Sequence, residues 1–209
     1  MNTRRFFDLT ASIYRYITWQ QMWRGHCAEM AAVFPDGRVA DLGIGPGVSA
    51  VGFLDARPRL RVIGVDLSDK MLRQARSTLQ GLQLEVPLLQ ADATRLPIRD
   101  AVVDTVAGHS FLYLVPDRAA VLGEARRILR EGGRLALLEP RADGPWHRGA
   151  LMRGPLRFRF SMVAWRATSR RYGRFEREEL ASLIAGAGFS RVEVRPTLGR
   201  MAWLAIGTR

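Results

Sequence analysis

The chain has 209 residues, 47% of them hydrophobic, one cysteine and a formal net charge of +12. This is the composition of a single ordinary globular domain and excludes a disordered, collagen-like or disulfide-stapled chain. No apolar run approaches the roughly 18 residues of a membrane span, no secretory apolar core follows Arg4-Arg5, and the lone Cys27 excludes an intrachain disulfide or a cysteine-rich zinc site, so a cytoplasmic protein is expected.

Residues 4–34 carry apolar side chains at helical spacing, among them Leu9, Ile13, Ile17, Trp23, Met30 and Val33, which predicts a helical cap over residues 1–36 that ends at Pro35-Asp36-Gly37. From there the pattern alternates. A strand is expected at 38–42, then a glycine loop, a helix through about 56, a strand at 61–65, a helix at 69–80, and strands near 85–90 and 102–108. A helix near 117–130 is expected to stop at Gly132-Gly133, followed by a buried strand through Leu135–Leu138. Residues 140–175 break the rhythm, and 176–209 supply a last helix and two strands at 190–195 and 201–207. Such alternation implies an α/β, doubly wound sheet that takes its ligands at the carboxyl ends of the strands.

Three of those strand ends carry a constellation. Asp41-Leu42-Gly43-Ile44-Gly45-Pro46-Gly47 sets glycines at alternate positions between a strand and a helix, where bare backbone can turn sharply against a ligand. The spacing differs from the one-three-six pattern of dinucleotide sites, and no Gly-Lys-Ser/Thr follows, which argues against nicotinamide, flavin and P-loop chemistry. The next strand, Val62-Ile63-Gly64-Val65, ends at Asp66, whose carboxylate suits the two ribose hydroxyls of a nucleoside. Asp92, in Gln90-Ala91-Asp92-Ala93, closes the third strand and suits an adenine amino group.

In this order the segments DLGIGPG, VIGVDLS, QADATRLPIRD and EARRILREGGRLALLEP resemble the core of class I methyltransferases that use S-adenosylmethionine. The resemblance implies a Rossmann-like sheet of order 3-2-1-4-5-7-6 with the last strand antiparallel, and a cofactor held by Asp41, Gly43, Gly45, Gly47, Asp66, Leu67, Met71, Asp92, Ala93 and His109. The opening Phe6–Tyr14, with Trp23 downstream, resembles the C-methyltransferases of ubiquinone and menaquinone biosynthesis, and bacterial phospholipid N-methyltransferases share the layout. The usual Tyr-Asp pair reads Tyr14-Arg15 here.

A sulfonium-bound methyl is already activated, so such an enzyme mainly aligns the acceptor and excludes water. If the acceptor must lose a proton, His109 past the fourth strand is the candidate base, and Tyr14 is a second catalytic candidate in the cap. Tyr113 is a weaker candidate than Tyr14, His26 and His147 have no motif context, and no metal site is expected.

Charge marks the remaining feature. Thirty-one of the 32 basic residues are arginine, and between Arg141 and Arg177 ten arginines face only Asp143 and Glu176. Within this insert, Arg157, Arg159, Arg166, Arg170 and Arg171 interleave with Leu156, Phe158, Phe160, Met162, Val163 and Trp165. If helical, Arg159, Arg166 and Arg170 share a sector of roughly 40°. That pattern suits an anionic membrane surface serving a lipophilic acceptor, a quinone-type ring or a phospholipid headgroup, with the protein peripheral on the inner face of the membrane. It equally suits a lid with a solvated arginine face. A soluble small acceptor ranks second and RNA third, because no Asn-Pro-Pro-Tyr-type motif follows the fourth strand. A cofactor-binding regulatory protein is the non-enzymatic alternative.

Overall fold

A computed structural model of the protein describes residues 21–143 and 155–209, so most of the cap, with Tyr14, and part of the insert, with His147, lie outside the described residues. Helix α1 (Gln21–Ala31) leads into β1 (Arg38–Leu42), α2 (Val48–Ala56), β2 (Arg61–Asp66), α3 (Asp69–Gly81) and the short β3 (Leu88–Gln90). Then come β4 (Val103–His109), a 3-10 turn (Leu112–Leu114), α4 (Arg118–Ile128), β5 (Leu129–Pro140), α5 (Leu156–Tyr172), α6 (Arg177–Gly186), β6 (Ser190–Thr197) and β7 (Ala202–Thr208).

The seven strands form one sheet in the order β3-β2-β1-β4-β5-β7-β6, with β1 to β5 parallel and β7 antiparallel to both its neighbours. This is the expected Rossmann-like order. β1 and β4, side by side, are the central parallel strands, and the runs Val39–Leu42 and Thr105–Gly108 are buried on both faces, as strands with helices packed above and below must be. Consecutive strands run outward in opposite directions from β1 and β4, and a doubly wound sheet opens a crevice at that switch point.

Local chemistry sets the helix starts. Ser68 accepts the Met71 N–H at 3.2 Å at the head of α3, Asp117 accepts the Ala120 N–H at 2.9 Å before α4, and Glu176 and Glu179 form a capping box on α6. One expected boundary moves. Helix α4 ends at Ile128 rather than at Gly132-Gly133, because Leu129 is already extended and paired with Val103. Gly132, at φ 72°, instead sits where the β4–β5 register slips between Val103 and Thr105, so the glycine pair serves a bulge and not a helix stop.

The insert is stitched back onto the core. Arg141 and Phe175 form a bridge, the Arg141 guanidinium stacks 4.1 Å over the Trp203 ring, and α5 buries Phe158, Met162 and Trp165 in the cluster that holds Trp23 and Met30. Among the described residues no helix is long and apolar enough to cross a membrane.

Candidate active site

A cleft of about 340 Å³ opens at the carboxyl edge of the sheet, at the switch point. Of the ten residues expected to hold a cofactor, eight line it: Gly43, Gly45, Asp66, Leu67, Met71, Asp92, Ala93 and His109. Gly47 and Asp41 stand behind the wall. Gly47, at φ 92°, is the N-cap of α2 and lets the loop turn into the helix. Asp41 is fully buried and accepts a hydrogen bond from Ser49 Oγ at 2.5 Å, which braces the glycine loop to α2. Its other oxygen, Oδ1, has no hydrogen-bond partner, and burial pushes the carboxyl up to about 7.

The loop cannot carry a side chain at its first glycine. Gly43 has φ +70°, and a Cβ there would lie 2.4 Å from Cδ2 of Phe111, itself in the cleft wall. The cradle therefore needs bare backbone. Asp66 ties this loop to the second strand end: Oδ2 accepts the Gly45 N–H at 2.9 Å and Oδ1 accepts the Ser68 N–H at 2.9 Å. Asp92 is held by a local turn in which Oδ1 accepts both the N–H and the hydroxyl of Thr94, at 2.9 and 2.8 Å.

His109 ends β4 with its ring edge-on to Trp23 at 5.7 Å between centroids. Burial, reinforced by nearby His26, lowers its pKa to about 4, and Nε2 has no hydrogen-bond partner. The imidazole is therefore neutral at physiological pH. His26 itself faces Glu29 at 3.7 Å, and Tyr113 is buried in the 3-10 turn, outside the lining of the cleft.

Two residues that sequence reasoning did not single out shape this wall. Glu139, fully buried near the end of β5, accepts the N–H groups of Phe111, Leu112 and Tyr113 at 3.1, 2.7 and 3.1 Å, so one carboxyl pins the turn that follows His109. Burial raises it to about 7 against those three donors, which pull the other way. The signal for it was an acid directly after the apolar run Leu135–Leu138. Ser110 adopts φ 57° while buried, an unusual state for a residue with a Cβ, and its hydroxyl accepts the Trp165 indole N–H at 2.6 Å. The loop Leu114–Asp117 closes the cleft on the same side.

The insert helix departs from the expected arginine face. Arg166 is only 3% exposed, with Nη1 donating to the Arg141 carbonyl at 2.9 Å, and Arg159 is half-buried. Of the five only Arg170 and Arg171 are exposed. The 40° arginine sector lies on the flank of the helix, because Phe158, Met162 and Trp165 fix which face turns inward.

Against proteins of known family, residues 40–137 match the methyltransferase domain. The chain carries a methyltransferase domain. Its sheet order is that of the S-adenosylmethionine-dependent methyltransferases. The domain is 43% identical over 111 residues to trans-aconitate 2-methyltransferase of Azoarcus sp., covering 53% of this chain and 42% of that one. It is 34% identical over 144 residues to a ubiquinone/menaquinone biosynthesis C-methyltransferase of Syntrophotalea carbinolica, covering 66% and 61%. A solved S-adenosylmethionine-dependent methyltransferase of Thermotoga maritima matches the methyltransferase fold over 99% of both chains with a TM-score of 0.71 at 21% identity. The chain spans about half the length of the curated relatives it matches.

Proposed function

We propose that this protein transfers the methyl group of S-adenosylmethionine to a small lipophilic acceptor, a quinone-type ring or a phospholipid headgroup, at a membrane surface. The observation that carries the cofactor half is one cleft bounded by the ends of three adjacent strands, with Gly43 after β1, Asp66 on β2 and Asp92 after β3. Asp66 accepts the ribose hydroxyls, sharing its oxygens with the Gly45 and Ser68 N–H groups, since a carboxylate oxygen accepts more than one hydrogen bond. Asp92 and Ala93 border the adenine, Leu67 and Met71 cover it with apolar surface, and Asp41 keeps the glycine loop in register through Ser49.

Once bound, S-adenosylmethionine supplies a methyl already activated by its sulfonium, and S-adenosylhomocysteine is left behind. The protein must then align the acceptor and keep water out. With a pKa of about 4, His109 is too weak a base to hold a proton at pH 7. Neutral in the cleft wall, it orients the acceptor through a hydrogen bond, and an acceptor that must lose a proton gives it to solvent before it enters the cleft. Support for a lipophilic acceptor comes from the likeness to the quinone-pathway relative and from the apolar side chains of Phe111, Leu114 and Val115 in the cleft wall. Lipophilic acceptors reside in bilayers, which puts the reaction at a membrane surface.

The test is transfer of label from methyl-labelled S-adenosylmethionine to a demethylated quinone or to phosphatidylethanolamine presented in vesicles. Label in the extracted lipid is expected. Label only in soluble carboxylic acids, the acceptor class in the Azoarcus relative's name, or in RNA would replace this acceptor assignment. Cofactor binding without turnover on any acceptor would leave a binding protein.

A further inference from the structure

Among the described residues, three of the five large apolar side chains most open to solvent lie on α5: Leu156 at 78%, Phe160 at 64% and Val163 at 46% exposure. With 3.6 residues per turn, these three fall with Ala167, Arg170 and Arg171 in one sector roughly 100° wide. Ala167, Arg170 and Arg171 are exposed as well. The opposite face, Phe158, Ser161, Met162, Trp165 and Ser169, is buried. Helix α5 thus packs with one apolar face inward and turns a second one outward, apolar in its first half and basic in its last turn.

No acid occurs from Pro155 to Phe175, while six arginines do. An apolar strip ending in exposed guanidinium groups complements a surface that offers both hydrocarbon and negative charge. We propose that the outer face of α5 is a membrane-docking surface: Leu156, Phe160 and Val163 insert at the level of the acyl chains of an anionic bilayer, and Arg170 and Arg171 meet its headgroups. The proposal builds on the lipophilic-acceptor reading and names the surface that would serve it. The inner face of the same helix reaches the cleft wall through Trp165 and Ser110, so docking sets the site beside the lipid.

Flotation with vesicles of phosphatidylglycerol and phosphatidylcholine, compared with phosphatidylcholine alone, tests it without reference to turnover. The wild-type protein should float with the anionic vesicles. Leu156→Ser with Phe160→Ser should lower the partition coefficient by about tenfold or more, since binding scales with the apolar area inserted. Replacing Arg170 and Arg171 by Gln should reduce the preference for anionic vesicles by about fivefold per arginine. Affinity for S-adenosylhomocysteine should stay unchanged in all of these, because the residues are exposed and lie outside the cleft; this separates loss of docking from loss of fold. Wild-type protein that floats with neither vesicle, or a serine variant that floats like wild type, overturns the proposal. So does lipid-free dimerisation abolished by the serine pair without any vesicle binding, which would make the strip a contact between copies.

Discussion

The indole N–H of Trp165 donates to the hydroxyl of Ser110 at 2.6 Å, joining the insert helix α5 to the turn that forms one wall of the cleft. A second indole does the reverse from the other side: Trp23 of α1 donates to Ser161 of α5 at 2.8 Å, and the two indoles touch at 5.9 Å between centroids. The helix is therefore held in azimuth by two buried hydrogen bonds as well as by packing. Trp165→Phe keeps the ring and removes the donor, leaving the Ser110 hydroxyl buried without that partner. Stability should fall by about 1–3 kcal/mol. The acceptor KM should rise while S-adenosylhomocysteine affinity holds within about twofold, read by steady-state kinetics beside calorimetry.

Gly43→Ala should be more damaging than an ordinary exposed glycine substitution. The left-handed backbone at φ +70° costs a residue with a Cβ roughly 1–3 kcal/mol. The added methyl also meets the Phe111 ring, so Phe111 must leave the cleft wall. Thermal unfolding should give a lower Tm, and cofactor affinity should drop with it. The control Gly123→Ala on α4, where nothing lies within 4 Å of an added Cβ, should leave both unchanged or raise the Tm.

Glu139 gives the fold a pH dependence. Its folded pKa is raised from 4.5 to about 7, so the folded state keeps a proton that the unfolded chain has already released. Its contribution favours folding fully at low pH and is lost as pH rises from about 4.5 through about 7. Glu139→Gln cannot ionise, so its Tm should decline less than that of wild type between about pH 5 and about pH 8. Part of the slope will persist, because Asp41 is raised to about 7 by its own burial. A variant whose Tm falls as steeply as the wild type's would show that Glu139 is already ionised at low pH.

His109 carries the opposite sign. Its folded pKa is lowered from 6.5 to about 4, so its contribution is present above pH 6.5 and lost as pH falls toward 4. Turnover should accordingly show no inflection near 6.5 that His109→Asn removes. A wild-type kcat/KM profile with such an inflection, absent in His109→Asn, would mean that the imidazole titrates as a free base and contradict its neutral role.

Much of this site was legible in the sequence because its parts are backbone events. Alternate glycines after a strand require a turn, and the sheet order brings the next two strand ends beside it, so the alternating pattern alone sets Gly43, Asp66 and Asp92 side by side. What was not legible depends on packing. Arg166 has helical spacing with Arg159 and Arg170, but spacing gives relative azimuth only; the inward face was decided by how Phe158, Met162 and Trp165 meet Trp23. Glu139 reads equally as a polar strand end until the turn Phe111–Tyr113 folds back onto it. Gly132-Gly133 reads as a helix stop, yet Leu129 can leave the helix early because Val103 offers a strand partner.

In the proposed function the cleft between Gly43, Asp66 and Asp92 holds S-adenosylmethionine. Calorimetric titration of S-adenosylhomocysteine into wild-type protein and into Asp66→Ala tests it most directly. Saturable one-to-one binding to the wild type is expected, with affinity lower by about tenfold or more in the variant, which loses a charged acceptor for the ribose and the tie to Gly45. Absence of binding to well-folded wild-type protein, or equal affinity in the two proteins, would contradict it.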